Sequence, residues 1–350
     1  MNLSSLTVTP ELLRLITELD EFRGSWKASS GQSPEHLQML RHVATIESVG
    51  SSTRIEGSKL SNSDIEVLLS NVGKTAFLTR DEQEVAGYAE VMEMVFENYP
   101  EIPLTENYIK QLHATLLRHS DKDMRHRGEY KKHPNSVEAF APDGTSLGIV
   151  FETTTPFDTP KAMQGLLSST KETLEDKGYH PLVVTGVFNV VFLAIHPFQD
   201  GNGRLSRALV SLLLLKAGYS YIPYSSLESI IEKNKDAYYL ALQRTQRTLQ
   251  AEEIDWLPWL RFFLTALKRQ KDHLVAKTES FQQYTDLSYE SMLIMQYVDE
   301  HQRITLKDAE QLTSKVSKPT LKNRLAQLVK QGLLVRHGKA RGTWYSKPMV

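Results

Sequence analysis

The densest chemistry in the chain lies between His196 and Arg207, read HPFQDGNGRLSR. Twelve residues supply a base, a carboxylate, two glycines, an amide and two arginines. Histidine is the side chain whose ordinary pKa suits proton abstraction near neutral pH, which makes His196 a candidate general base. Asp200 has two readings: a cap on the element that follows, or a carboxylate that holds Mg²⁺ against phosphate oxygens. Gly201 and Gly203 open backbone conformations closed to other residues and let a ligand come close. Arg204 and Arg207 are three apart, so on a helix they share one face and could grip one polyphosphate. Phe198 and Leu205 read as core anchors.

The elements that must position these groups are legible on either side. Leu182–Ile195 (LVVTGVFNVVFLAI) and Leu209–Leu215 (LVSLLLL) are apolar runs. The first is longer than a strand needs and the second continues a helical pattern, so both read as buried helices with the motif as the sharp turn between them. Pro197 ends the first helix at about His196. The second begins near Gly203 or Arg204. Its first amides have no partner within the helix and point back at the turn, which makes an anion site. Basic residues at a helix N-terminus oppose its dipole, so structure alone gives little reason for the arginines. An anionic ligand, most simply a polyphosphate, gives one.

HPFQDGNGRLSR resembles the Fic-domain signature, HPFx[DE]GNGRxxR, at every fixed position. That resemblance implies a mainly α fold, a Fic helical bundle with a β-hairpin flap, and transfer of AMP from ATP to hydroxyls of proteins, the chain itself included. By position it implies His196 as the base for the target hydroxyl and Asp200 as the Mg²⁺ ligand. It implies Gly201, Asn202 and Gly203 as the anion hole, and Arg204 and Arg207 as contacts to the β- and γ-phosphates. Leu205 and Ser206 complete the nucleotide-binding stretch 201–207. Ser52-x-x-x-Glu56-Gly57 resembles the inhibitory motif [ST]xxxE[GN] of Fic proteins that carry it upstream of the signature. A Glu56 carboxylate reaching Arg207 would form a bidentate ion pair in the place of the γ-phosphate. Read without the resemblance, residues 50–58 are a polar loop turning at Gly57.

Residues 127–160 break the helical pattern, and Asp143-Gly144 ahead of the β-favouring run Ile149–Thr154 reads as a hairpin. In the Fic family a flap at this position pairs with the target segment by backbone bonds. Asn234–Leu249 reads as a helix whose adjacent Tyr238 and Tyr239 cannot face the same way. Either could be core, and Tyr239 resembles the family tyrosine at the adenosine end of the nucleotide.

The whole chain suits an enzyme more than a general nucleic-acid binder. It has 350 residues, a formal charge of −1 and no cysteine, so there is no disulfide framework, thiolate metal site or cysteine nucleophile. The N-terminal residues lack a signal-type pattern and no apolar run reaches membrane-spanning length. A cytoplasmic protein with no membrane partner is the expectation.

Upstream, Thr9-Pro10-Glu11 and Ser33-Pro34-Glu35 read as helix starts, with Gly24 ending the first helix and the second running towards Gly50. Further helices are read at Asn62–Leu69, Arg80–Tyr99, from Thr105, and over Pro160–Lys177. Asp255–Leu274 should close the bundle or join two subunits as a homodimer. The expected domains are an N-terminal helical region with the inhibitory motif (1–104), the catalytic domain (105–274), a polar linker (275–287) and a C-terminal domain (288–350). That last stretch reads helix–helix–helix followed by two strands around Gly338, which resembles a winged helix-turn-helix domain. Beyond Glu310 its charges are all basic: Lys315, Lys318, Lys322, Arg324, Lys330, Arg336, Lys339, Arg341 and Lys347. DNA or a protein could dock there.

The reading is an adenylyltransferase that takes ATP and Mg²⁺, acts on a Ser, Thr or Tyr hydroxyl of a target protein and is restrained by Glu56. Its rivals are AMP removal with Glu56 orienting a water, transfer of another phosphate-containing group, and a nucleotide-sensing DNA-binding regulator.

Overall fold

The structure, a computed structural model, describes residues 3–28, 34–70, 77–140, 146–282, 287–312 and 316–348. Two compact units divide it, Met1–Asp272 and His273–Val350. The first unit opens with α1 (Pro10–Ala28), α2 (Pro34–Ile55), α3 (Asn62–Ser70), α4 (Arg80–Asn98) and α5 (Glu106–Leu116). An antiparallel hairpin follows, β1 (Ser136–Phe140) with β2 (Ser146–Glu152). Then come α6 (Thr159–Asp176), α7 (Pro181–Ile195), α8 (Asn202–Lys216), α9 (Leu227–Lys233), α10 (Lys235–Gln246) and α11 (Leu257–Gln282), whose residues from His273 on belong to the second unit. The mainly α class with a hairpin is as read from sequence. The hairpin's turn, with Asp143-Gly144, lies outside the described residues.

The unit is built around α7. Its residues are apolar on all sides, and from Leu182 to Val190 every one is buried, as a helix enclosed by other elements requires. It packs on α6, α8 and α10. The apolar α11 closes the bundle through Trp259, whose indole N–H donates to Gly186 O at 2.6 Å. Any Cβ at Gly186 would lie 2.8 Å from Leu260 Cδ2, so a bare backbone there sets how closely the two helices approach.

Three expectations about helix length need correction. Gly24 does not end α1, which continues to Ala28. A helical glycine costs roughly 1 kcal/mol, and the continued turn carries Trp26 onto Phe22 and Tyr224, with ring centroids 5.9 and 5.5 Å away. Likewise α2 runs through Gly50 to Ile55, so Ser52 rides its last turns instead of a loop. At the far end, α11 extends through Gln282, eight residues past the expected Leu274, into the stretch read as a linker. Helix α9 was not foreseen; its seven residues are too few for a clear period.

The second unit holds α12 (Tyr289–His301), α13 (Leu306–Leu312) and α14 (Lys318–Lys330). A small antiparallel sheet of order β3-β5-β4 completes it, from β3 (Ile304–Thr305), β4 (Val335–His337) and β5 (Trp344–Ser346). Leu321, Leu325 and Leu328 of α14 are buried in its core beside Met292, Met295 and Val298 of α12. No helix among the described residues is long and apolar enough to cross a membrane.

Candidate active site

The loop that carries the motif joins α7 to α8, and side chains from distant parts of the chain hold it. Asn202 ties it to itself: Oδ1 accepts from the Phe198 N–H at 2.9 Å and Nδ2 donates to Phe198 O at 2.7 Å. His113 on α5 stacks on Phe198 with ring centroids 3.8 Å apart. Its Nδ1 accepts from the Gly128 N–H (2.9 Å), so the proton sits on Nε2, 3.0 Å from Asp200 O. Burial pushes the His113 pKa down to about 4, which keeps both bonds in place at neutral pH.

His196 caps α7 in the left-handed conformation, at φ 52° and ψ 60°, a geometry that costs of order 1–3 kcal/mol for a residue with a side chain. Its Nδ1 lies 3.3 Å from Leu193 O. A carbonyl can only accept, so Nδ1 carries the proton and Nε2 keeps a lone pair for a substrate. Burial holds the imidazole down at a pKa of about 4; the bond to Leu193 opposes that, the Lys131 charge adds to it, and Glu56 and Asp200 oppose it.

Gly201 sits at φ 78° as the residue before α8, and Asn202 opens the helix, one or two residues earlier than read. At Gly203 a Cβ would fall 2.2 Å from Glu56 Oε1. The Glu56 carboxylate therefore lies directly on the first turn of α8, where the helix dipole and free amides favour an anion. Burial pushes against its charge, but Arg207 and Arg204 prevail and hold its pKa below the ordinary value.

The two arginines of the motif have separate partners. Arg204 is fully buried, with Nη1 3.1 Å from Glu84 Oε2 and Nη2 3.3 Å from Asp200 Oδ1. Arg207 is 3% exposed. Its Nε donates to Ser52 Oγ at 2.9 Å, and its Nη2 donates to Ser52 O at 3.0 Å and Glu56 Oε1 at 2.8 Å. The expected bidentate pair is thus a correction: Glu56 receives one bond, from Nη2, and Ser52 takes Nε and a second bond from Nη2. The cause is the depth of Ser52, fully buried one helical turn before Glu56. Burial works against the Arg207 charge, yet Glu56, Tyr238 and Tyr88 raise its pKa overall.

Past Ile55 the chain turns through Gly57 at φ 108°, a value that favours glycine. Arg54 fastens the end of α2, donating through Nε and Nη2 to the two carboxylate oxygens of Glu232 on α9, at 2.7 and 3.0 Å. Lys235 Nζ donates to Ile55 O at 2.8 Å, and its charge lies 5.9 Å from the Tyr239 ring centroid. Tyr239 is half-buried, and burial first, then Glu56, raises its phenol pKa. Its neighbour Tyr238 is the core member of the pair.

Leu205 is fully buried, and Ser206 donates its hydroxyl to Gly203 O at 2.8 Å. Neither side chain faces the cradle. Sequence reading missed Glu84, His113, Lys131 and Arg54. Glu84 had a faint signal, a carboxylate beside Val85 on the apolar stripe of α4 and four residues after Arg80, with which it pairs at 2.7 Å.

Asp200 is the candidate metal ligand. Oδ1 accepts from the Gly201 N–H and meets Arg204; Oδ2 meets Arg80 Nη2 at 3.3 Å. Burial raises its pKa, and Arg204, the Gly201 amide and Arg80 outweigh this, so it is lowered and ionised. Among the described residues no three His, Cys, Asp or Glu gather around a metal position. One carboxylate beside an anion cradle is nonetheless the donor set that magnesium takes when substrate phosphates supply further oxygens. The residues fit that ion.

The Fic/DOC family profile matches residues 103–214. The protein adenylyltransferase Fic of Aedes aegypti is 27% identical over 266 residues, which cover 73% of this chain and 47% of that protein. The protein of the same name from Drosophila melanogaster is 26% identical over 265 residues, 74% of this chain and 48% of its own. The chain thus spans about half the length of the curated relatives it matches. Among solved structures, a Fic family protein from Desulfovibrio desulfuricans superposes with a TM-score of 0.62 at 22% identity, covering 98% of this chain and 97% of that one. A Fic domain containing signaling protein from Bacteroides thetaiotaomicron gives 0.60 at 25% identity, over 73% and 95%.

Proposed function

We propose that this chain, which carries a Fic domain, transfers AMP from ATP to a hydroxyl side chain of a protein and that Glu56 restrains it. The observation that carries the reading is the Glu56 carboxylate resting at Gly203 and bonded to Arg207, in an anion cradle a phosphate would need. A helix N-terminus supported by two buried arginines has little use for being filled by its own chain unless another anion competes for it.

In the reaction, Nε2 of His196 takes the proton of the target hydroxyl and the oxygen attacks the α-phosphorus. The bond to the bridging oxygen breaks and pyrophosphate leaves. Arg207 and the first amides of α8 hold the departing phosphates, and charge neutralisation with positioning supplies most of the rate. Anionic phosphates beside His196 raise its basicity, as Glu56 and Asp200 already do. Asp200 would hold Mg²⁺, which when bound offsets the charge of the phosphates. Tyr239 would wall the adenosine end, and β1 would offer its backbone to an extended target segment.

The C-terminal unit reads as a winged helix that docks a partner. Lys318 pairs with Glu310 at 2.7 Å, Arg324 with Glu290 at 3.5 Å, and Lys347 with Asp299. These acids, earlier in sequence than the basic run, weaken the DNA reading and favour a protein. Lys315 lies outside the described residues.

The test is intact-mass analysis of the chain and of candidate proteins after incubation with ATP and Mg²⁺, in the wild type and in Glu56→Gly. A gain of one AMP mass, abolished by His196→Ala and weakened in Asp200→Ala, is the expected result. A mass gain of phosphate alone, or none on any protein, overturns the reading.

A further inference from the structure

A buried charge lies outside the motif. Lys131 is 3% exposed, and its ammonium donates to Asn135 Oδ1 at 2.8 Å, Thr153 Oγ1 at 2.8 Å and Ile195 O at 3.0 Å. An ammonium has three N–H donors, so its capacity is filled. All three acceptors are neutral. Among the interactions of the described residues it has no carboxylate, and a buried charge without a counter-charge is costly. The cost shows in its pKa, drawn down to about 8 by burial.

Its place explains why the charge is kept. The side chain grips the carbonyl of Ile195, and the backbone N–H of the same residue donates to Pro197 O at 2.8 Å. Lys131 thus brackets His196, holding the carbonyls of the residues on either side of one in a left-handed conformation. The other two bonds reach the feet of the hairpin: Asn135 just before β1, and Thr153 just after β2. Asn135 extends the knot to the loop, its Nδ2 donating to Phe198 O at 2.9 Å.

We infer that Lys131 is a positioning residue for the transfer reaction: it fixes the backbone of His196, joins it to the foot of the hairpin, and by its charge adds to the burial that keeps the imidazole unprotonated. The inference rests on His196 being the base proposed above. A neutral side chain could tie the same carbonyls together. Only a cation also sets a positive potential at the imidazole, where the other facing charges, Glu56 and Asp200, act in the opposite sense.

The experiment compares Lys131→Met, Lys131→Gln and Lys131→Arg in the full chain carrying Glu56→Gly, so that turnover is measurable. Lys131→Met and Lys131→Gln should lower kcat about tenfold or more while KM for ATP stays within about twofold, because phosphate contacts lie elsewhere. The acid limb of kcat/KM should move up by about one pH unit as the positive potential is lost. Lys131→Arg should keep the acid limb of the parent. In parallel, the His196 ring is titrated by NMR with labelled histidine, assigned by its absence in His196→Ala. Should Lys131→Met not fold, the contrast between Lys131→Arg and Lys131→Gln carries the test. Unchanged kcat and acid limb in folded Lys131→Met or Lys131→Gln overturn the inference. So does Lys131→Arg losing as much as Lys131→Gln with neither limb displaced, which is what a merely structural lysine gives. If no chain transfers AMP, the proposed function falls, and the ring titration alone still decides whether Lys131 sets the state of His196.

Discussion

The two ends of the catalytic loop are held in different ways. At the His196 end the restraints are Lys131, Asn135, Asn202 and His113, three of them buried and all bonded to the loop's own backbone. At the Arg207 end the guanidinium is shared between Ser52, which is buried, and Glu56, which is about a third exposed on its side chain and lies beyond the end of α2. On the proposed function, proton removal is set up in advance, while admission of the phosphates depends on a carboxylate that can leave. The contrast separates variants that remove chemistry from variants that alter access.

The largest effect is expected at the fixed end. His196→Ala should reduce transfer by about 10²–10⁴-fold, the usual contribution of a positioned base, with ATP binding by calorimetry close to the parent's. Loss of ATP binding in a folded variant would mean that the two ends are not separate.

Next comes the removable end. Glu56→Gly should raise transfer about tenfold to a hundredfold, since a charge-assisted bond is worth roughly 1–3 kcal/mol. Arg207→Ala should lower it, and the double variant should match Arg207→Ala, because releasing an arginine helps only where one is present. Additive effects in the double variant would break the direct coupling seen at 2.8 Å.

The fixed end also makes stability depend on acid. His113 is neutral when folded, with its pKa lowered from 6.5 to about 4. Unfolding lets it take a proton, so stability is complete above pH 6.5 and declines as pH falls from there towards 4. At roughly 1.4 kcal/mol per unit the loss is about 3 kcal/mol. Thermal melts between pH 7 and 4 should show the decline, and His113→Gln should make it shallower without abolishing it, since the His196 pKa is also lowered to about 4. An unchanged slope in that variant would remove His113 from the account.

The smallest effect concerns the C-terminal unit. Pairing of Lys318, Arg324 and Lys347 with acids implies weaker duplex binding and a shallower salt dependence than the whole basic run would give. Fluorescence anisotropy of the full chain with duplex DNA checks this; tight binding with a steep salt slope would restore the DNA reading.

What could be read from sequence was contiguous. The turn between α7 and α8 was legible because Pro197, Gly201 and Gly203 are local punctuation between two apolar runs, and Glu56 because its motif is short and complete. Contacts between distant segments left no such mark. Arg54 meets Glu232 across 178 positions, and Arg204 meets Glu84 from another helix. Lys131 stands next to Lys132 in a polar stretch, and nothing in their types shows that one is buried and the other exposed. The bidentate geometry expected for Glu56 failed for the same reason. It assumed a free fork, whereas Ser52 already accepts two of its bonds, a matter of depth that spacing does not encode.

The sharing of that fork sets a clock. Glu56, just past the end of α2, accepts one of three bonds from Arg207, and the other two, accepted by Ser52, do not depend on its position. Its departure needs rotation about side-chain bonds, a motion of picoseconds to nanoseconds once the bond is broken, and no helix has to unwind. Such a restraint is far faster than any turnover of a transferase, roughly 1–10³ per second. If Glu56 restrains transfer as proposed, each catalytic cycle would sample the restraint many times over and respond to its average. The output would then be graded by the fraction of time the carboxylate is absent, and a ligand or modification that shifts that fraction slightly would adjust the rate in proportion.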